Sequence, residues 1–232
     1  MIIVHKYGGS SVATTDKIIE IAKYLGGVKD QGHDVIVVVS AMGKRTDALI
    51  NLAKEITKDP DKRELDRLMS TGEQTTIALL AIALKSLGYD AISLTGVQAG
   101  IKTSGHHTKN VIDSVDNDKI NDLLKEGKIV IVAGFQGVNS RGDVTTLGRG
   151  GSDTSAVALA AALGAKCEIY TDVDGIYSID PRVYKEAKKL PLISYDEMME
   201  LAYLGAGVME PRAVELGKKY EVEIYVGKSL GE

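Results

Sequence analysis

Short β-branched runs that alternate with stretches of helical spacing constrain this chain more than any other feature. The runs are "IIV" at 2–4, "VIVVV" at 35–39, "AISL" at 91–94, "IVIVA" at 129–133, "CEIY" at 167–170 and "VEIYV" at 222–226. Most are almost wholly apolar, as strands covered on both faces must be. Between them apolar residues recur at helical intervals: Ile18, Ile19, Ala22 and Leu25; Leu65, Leu68, Met69 and Thr76 through Leu84; Ile120, Leu123 and Leu124; Val157 through Leu163. This alternation predicts βαβ units and a mostly parallel sheet with helices on both faces. At 232 residues the chain is long enough for one large α/β domain or two small ones. No Pro- or Ser-rich linker and no internal repeat divides it.

Charge and cysteine usage exclude several classes of function. The chain carries 28 Lys and Arg against 32 Asp and Glu. The cations are scattered rather than striped, which argues against a nucleic-acid partner. The single cysteine, Cys167, rules out an intrachain disulfide framework and fits a reducing compartment. No basic, then apolar, leader follows Met1, and runs such as "IALLAIAL" at 77–84 are far too short to cross a bilayer. The expectation is a cytoplasmic protein with no membrane partner.

Two segments lack helical or strand periodicity. "VQAGIKTSGHHTKN" at 97–110 reads as a loop or irregular hairpin and as the mobile insertion of the fold, and "VNSRGDVT" at 138–145 reads as a hairpin with a Gly-Asp turn.

Ligands of parallel α/β sheets gather beyond the carboxyl ends of the strands, and here those ends are rich in Gly, hydroxyl and charged residues. "KYGGSS" (6–11) follows the first run, "SAMGKRT" (40–46) the second, "GFQGVN" the run at 129 and "TDVDGIYSIDPR" (171–182) the run at 167. The phosphate-loop and dinucleotide fingerprints are both missing, since "GKS" at 227–229 has Val222 where a first glycine belongs. "KYGGSS" is either a turn with an incidental lysine or a cradle whose backbone N–H groups meet a polyanion. "GRGG" at 148–151 is either a tight turn into a helix, with Ser152 or Asp153 as N-cap, or a second anion site.

The acidic and imidazole residues are less telling alone. Glu73 in "STGEQTT" would point from an otherwise apolar helical stretch, and its plain reading is a solvated helical glutamate. "TDVDG" at 171–175 lacks the continuing ligands of a calcium loop, and His106-His107 lacks metal-ligand spacing. No metal site of protein residues is expected.

"KYGGSSVA", "SAMGKRTD", "STGEQ", "TTLGRGGSDTSA", "TDVDGIYSIDPR" and "GAGVMEPRAVE" occur in this order over nearly the whole chain. The series resembles the amino-acid kinase superfamily and, within it, the aspartate kinases. The resemblance implies a three-layer αβα sandwich around a mainly parallel sheet of about eight strands. It implies transfer of the γ-phosphoryl group of ATP, with Mg²⁺, to the β-carboxylate of L-aspartate, the first step toward lysine, threonine and methionine. By position, Lys6 and Asp153 would be catalytic, and Thr46, Glu73, Arg149 and Ser152 would hold aspartate. Lys6, Gly8, Gly9, Ser10, Thr171, Asp172, Tyr177, Arg182, Gly207 and Val208 would hold ATP. Residues 1–232 would form the catalytic domain, with nucleotide binding from about residue 146 onward, without the ACT regulatory modules that usually follow and help to build a homodimer. Gly207 and Glu210 depart from the lysine and histidine common in relatives. A sibling kinase for another carboxylate substrate, or a weakly active sensor of amino acid or ATP, is the competing reading.

The chemistry needs these residue types. A carboxylate nucleophile is ionised at neutral pH and requires no general base. The obstacle is its repulsion from the phosphates, which fixed cations offset.

Overall fold

The computed structural model describes residues 1–148, 150–179, 183–204 and 208–229. Six parallel strands form the central sheet: β1 (Ile2–Tyr7), β2 (Asp34–Val39), β3 (Ala91–Leu94), β6 (Ile129–Ala133), β9 (Lys166–Thr171) and β10 (Ile224–Lys228), in the order β10-β9-β1-β2-β6-β3. The remaining described strands, β4 (Ile101–His106), β5 (Lys109–Val115), β7 (Gln136–Val138) and β8 (Val144–Thr146), make a second sheet in the order β5-β4-β7-β8. The expected single sheet of about eight strands is thus divided into two among the described residues.

Two helices cover one face, α1 (Thr15–Asp30) and α3 (Lys62–Ser86); α4 (Asp118–Lys125), α5 (Gly151–Leu163), α6 (Tyr195–Tyr203) and α7 (Pro211–Tyr220) pack on the other. The two faces follow from the period of two along each strand. On β1, Ile3 and Tyr7 join the α1/α3 core while Val4 joins the α5/α7 core. Five of the expected strands lie where the apolar runs place them, and β10 starts two residues later than "VEIYV" suggested, because Val222 is buried in the turn before it.

Helix α2 (Arg45–Ile56), between β2 and α3, buries only Leu49 fully, so its apolar period is too weak to read. The starts of other helices are written locally. Thr14 and Asp61 accept N-cap bonds from Lys17 and Glu64, Ser194 and Glu197 form a capping box, and Pro211 opens α7.

Segment 97–110 contributes to an irregular hairpin, one of the two forms expected of it. Residues 101–115 pair as the β4–β5 hairpin, with a register shift at Lys102/Thr103, and bury Thr103 and Asn110. The hairpin at 138–145 is present as β7 and β8, closed by Asn139 Oδ1, which accepts from the N–H groups of Arg141 and Asp143. Among the described residues no helix is long and apolar enough to cross a membrane.

Candidate active site

Chain order reverses beside β1, with β2 on one flank and β9 on the other. Crevices at such reversals, beyond the strand carboxyl ends, are where parallel sheets bind ligands. Lys6 lies near the end of β1, in register with Val38 and Ile169, and is 7 % exposed. Its ammonium stands 2.6 Å from an Asp153 carboxylate oxygen. Two elements remote in sequence, the first strand and the start of α5, thus meet at one buried ion pair.

The α5 start departs from expectation. Gly150, in the left-handed region at φ 69°, is the N-cap; neither Ser152 nor Asp153 caps the helix. Both lie inside its first turn, so their side chains are free for other partners. Ser152 Oγ is 2.8 Å from Ser40 Oγ at the end of β2. Ser40 was not singled out from sequence, although the strand-end rule pointed at its segment.

Glu73 is not a solvated glutamate. It is 3 % exposed on α3, where Oε1 accepts from the Ala41 N–H at 3.2 Å and Oε2 has no partner. Burial pushes its pKa up to about 8, opposed only in part by the backbone bonds. Near neutrality the carboxyl is mostly protonated until a cation reaches it. Glu73, Thr46 and Ser152 line one cleft of about 630 Å³, together with Phe135 and the glycines at 148, 150 and 151. Phe135 adopts φ 68°, strained for an aromatic residue. Ser155 holds it there, its Oγ accepting from Phe135 N–H and donating to Gly151 O. No sequence signal announces that conformation.

Lys54, Lys58 and Lys62 rim the same cleft, and among the described residues none of the three forms an ion pair. Asp47 and Asp59 line the cleft beside them.

Other expected residues lie elsewhere. Gly8 and Gly9 turn the chain after β1: Ser11 N–H donates to Gly8 O, and Gly43 N–H to Gly9 O. Gly9 lines the cleft, while the Ser10 side chain is exposed. Thr171 ends β9, and its hydroxyl donates to Asp172; the Tyr177 hydroxyl donates to Asp174. None of Thr171, Asp172 and Tyr177 lines the cleft, and Val208 packs against the α5/α7 core. They stand on the β9 side of the crevice and the carboxyl-binding candidates on the β2 side. Arg149, Arg182 and Gly207 lie outside the described residues. Glu210, the N-cap of α7, packs on Gly150, and Arg212 Nη1 donates to Leu147 O at 3.1 Å. The "MEPRAVE" block therefore braces the glycine-rich entry to α5. Among the described residues no cluster of three or more His, Cys, Asp or Glu side chains is arranged to hold a metal ion.

The profile of the amino acid kinase family matches residues 1–228. The aspartokinase of Geobacillus stearothermophilus is 58 % identical over 230 residues, which is 99 % of this chain and 56 % of that protein. Aspartate kinase from Synechocystis superposes with a TM-score of 0.87 at 48 % identity, covering all of this chain and 39 % of that one. Aspartokinase III of E. coli, in complex with aspartate and ADP, also gives 0.87, at 27 % identity over 99 % of this chain and 62 % of its own. The chain spans about half the length of the curated relatives it matches.

Proposed function

The chain belongs to the amino acid kinase family, and from that premise we propose that it transfers the γ-phosphoryl group of MgATP to the β-carboxylate of L-aspartate. The products are β-aspartyl phosphate and ADP, in the first step toward lysine, threonine and methionine. The observation that carries this reading is Glu73: a buried carboxyl with one unpartnered oxygen, lining a cleft beside the Lys6–Asp153 pair. A free amino acid brings an ammonium group that such a carboxyl recognises, and a plain dicarboxylate does not. The identity to aspartokinases and the aspartate and ADP held by the E. coli relative support the same assignment.

In this reading Thr46, Ser152 and Arg149 hold the substrate with Glu73, arginine's planar fork suiting a carboxylate. The β-carboxylate oxygen attacks the γ-phosphorus as the bond to the β-phosphate oxygen breaks. Lys6 offsets the charge spread over the phosphoryl oxygens, and Asp153 orients Lys6. Gly8, Gly9 and Ser10 approach the phosphates with backbone N–H groups. Thr171, Asp172, Tyr177, Arg182, Gly207 and Val208 take the adenosine side, so that nucleotide binding falls mainly to the chain from about residue 146. Mg²⁺ bound to the nucleotide would supply further positive charge against the phosphates. The single reduced cysteine supports a cytoplasmic setting.

Incubation with MgATP, aspartate and hydroxylamine should accumulate the β-hydroxamate that traps an acyl phosphate. Glutamate and N-acetylglutamate in parallel should yield little. ATP turnover with either of those in preference to aspartate would overturn the assignment. Arg149→Ala should weaken aspartate binding by about 1.5–3 kcal/mol, the range for a charged hydrogen bond, with little change in KM for ATP.

A further inference from the structure

Asp66 is fully buried on α3 and belongs to none of the motifs above. Its two carboxyl oxygens gather three partners from two other elements. The Thr108 N–H donates to both, at 3.0 and 3.1 Å; His107 Nδ1 lies 2.7 Å from Oδ2; and the Thr146 hydroxyl donates to Oδ1. His107 and Thr108 are the tip of the β4–β5 hairpin, and Thr108 is held at φ 72°, a conformation a β-branched residue rarely adopts. Thr146 ends β8 and leads directly into Leu147 and Gly148. The hairpin tip touches that segment too: a Cβ on Gly148 would stand 3.2 Å from Thr108 O. Thr108 and Gly148 both line the cleft. Asp66 and Glu73 are seven residues apart, two helical turns and about 10 Å along one face of α3.

We propose that Asp66 is a positioning residue for the acceptor substrate. It clamps the hairpin tip and the end of β8 onto the helix that carries Glu73, and so fixes the cleft wall at Thr108 and Gly148. Its bonds hold a backbone that local preference would not choose, and an apolar residue in its place would leave the Thr108 N–H and the Thr146 hydroxyl unmatched. Arg212 and Glu210 reach the same glycine-rich segment from α7, so it is held from both α3 and α7. The proposal rests on aspartate being the substrate of this cleft.

The test uses the full chain and three variants: Asp66→Asn, Thr146→Val and His107→Ala. Two readouts are needed, amide exchange in the ligand-free protein and separate KM values for aspartate and ATP in the hydroxamate assay. Exchange at the hairpin tip and over residues 146–151 should rise in each variant. The aspartate KM should rise about tenfold or more in Asp66→Asn, the loss expected for a buried charged acceptor, and by less in the other two. KM for ATP should stay within about twofold, the nucleotide residues lying across the crevice. A variant with a lower melting temperature but unchanged aspartate KM and unchanged local exchange would overturn the proposal. Should Asp66→Asn fail to fold, Thr146→Val, which removes one hydroxyl, decides by the same criteria. A wild-type protein that makes no hydroxamate with aspartate would overturn the substrate reading instead, while the exchange data still judge the clamp.

Discussion

Lys6 and Asp153 form an ion pair of 2.6 Å whose two side chains are only 9 % and 12 % exposed. A pair this well buried balances desolvation against attraction, and removal of one member leaves a charge without its partner. Such a loss costs about 3–5 kcal/mol. The contact is close, yet Asp153 Oδ1 makes no aligned hydrogen bond.

Lys6→Met and Asp153→Asn should therefore each lower both the melting temperature and kcat, with the Lys6 variant losing about a hundredfold or more in turnover, by analogy with the loss of one preorganised donor. The double variant should recover most of the lost thermal stability and none of the turnover. Recovery of neither would mean that the pair is not an independent unit. Calorimetry and the hydroxamate assay on the four proteins settle it.

Glu73 sets stability against binding. Its folded pKa of about 8 lies above the ordinary 4.5, so the folded state holds the extra proton between those values. Stability from this site thus falls as pH rises from about 4.5 to 8. Glu73→Gln should be more stable than the parent at pH 8, with the difference vanishing near pH 5. Its aspartate KM should rise about tenfold or more, the loss of a charged hydrogen bond. Titration calorimetry of the parent near pH 7 in buffers of different ionisation enthalpy should show a proton released as aspartate binds.

His5 works in the opposite sense. Burial, helped by the nearby charge of His33, lowers its pKa from 6.5 to about 4. The unfolded chain then binds a proton that the folded one does not, and stability is lost as pH falls from 6.5 toward 4. The ring sits 6.0 Å from both Tyr24 and Tyr170, so His5→Phe keeps the aromatic packing. The variant should show a shallower decline in melting temperature over that interval. An unaltered acid limb would assign the loss to other groups.

Gly134, where β6 ends, has no room for a side chain: an added Cβ would lie 2.8 Å from Ser152 Cβ and 3.0 Å from Val38. Gly134→Ala should push the start of α5 away from the sheet, with a loss of about 1–3 kcal/mol, the range for overpacking. Because Ser152 is the atom displaced, the aspartate KM should rise with it. Both are measurable on one preparation by denaturant titration and steady-state kinetics.

The central sheet was legible because its strands are continuous apolar runs between Gly-rich ends, a pattern that parallel burial imposes directly. The Lys6 and Gly8-Gly9 segment was legible for the same reason, since strand ends mark the crevice. Helices α6 and α7 carried a capping box and an N1 proline that sequence reading did not use. The hairpin at 101–115 looked loose because its order comes from Asp66, a residue far away in the chain. Glu73 was ambiguous, for a glutamate on a helix is solvated or buried according to what packs above it. Phe135 and the Gly150 cap depend on backbone conformations that residue type does not dictate.

The strand order has a consequence for how the protein is made. β1 leaves the ribosome first, yet one of its edges waits for β9 and its ammonium waits for Asp153. Until β9 has been translated, the growing polypeptide carries a central strand, Ile2–Tyr7, with one edge unpaired, of the kind that adheres to other exposed edges. Any pause in translation between β2 and β9 lengthens that exposure, and the ion pair that organises the crevice cannot form until the start of α5 has been made.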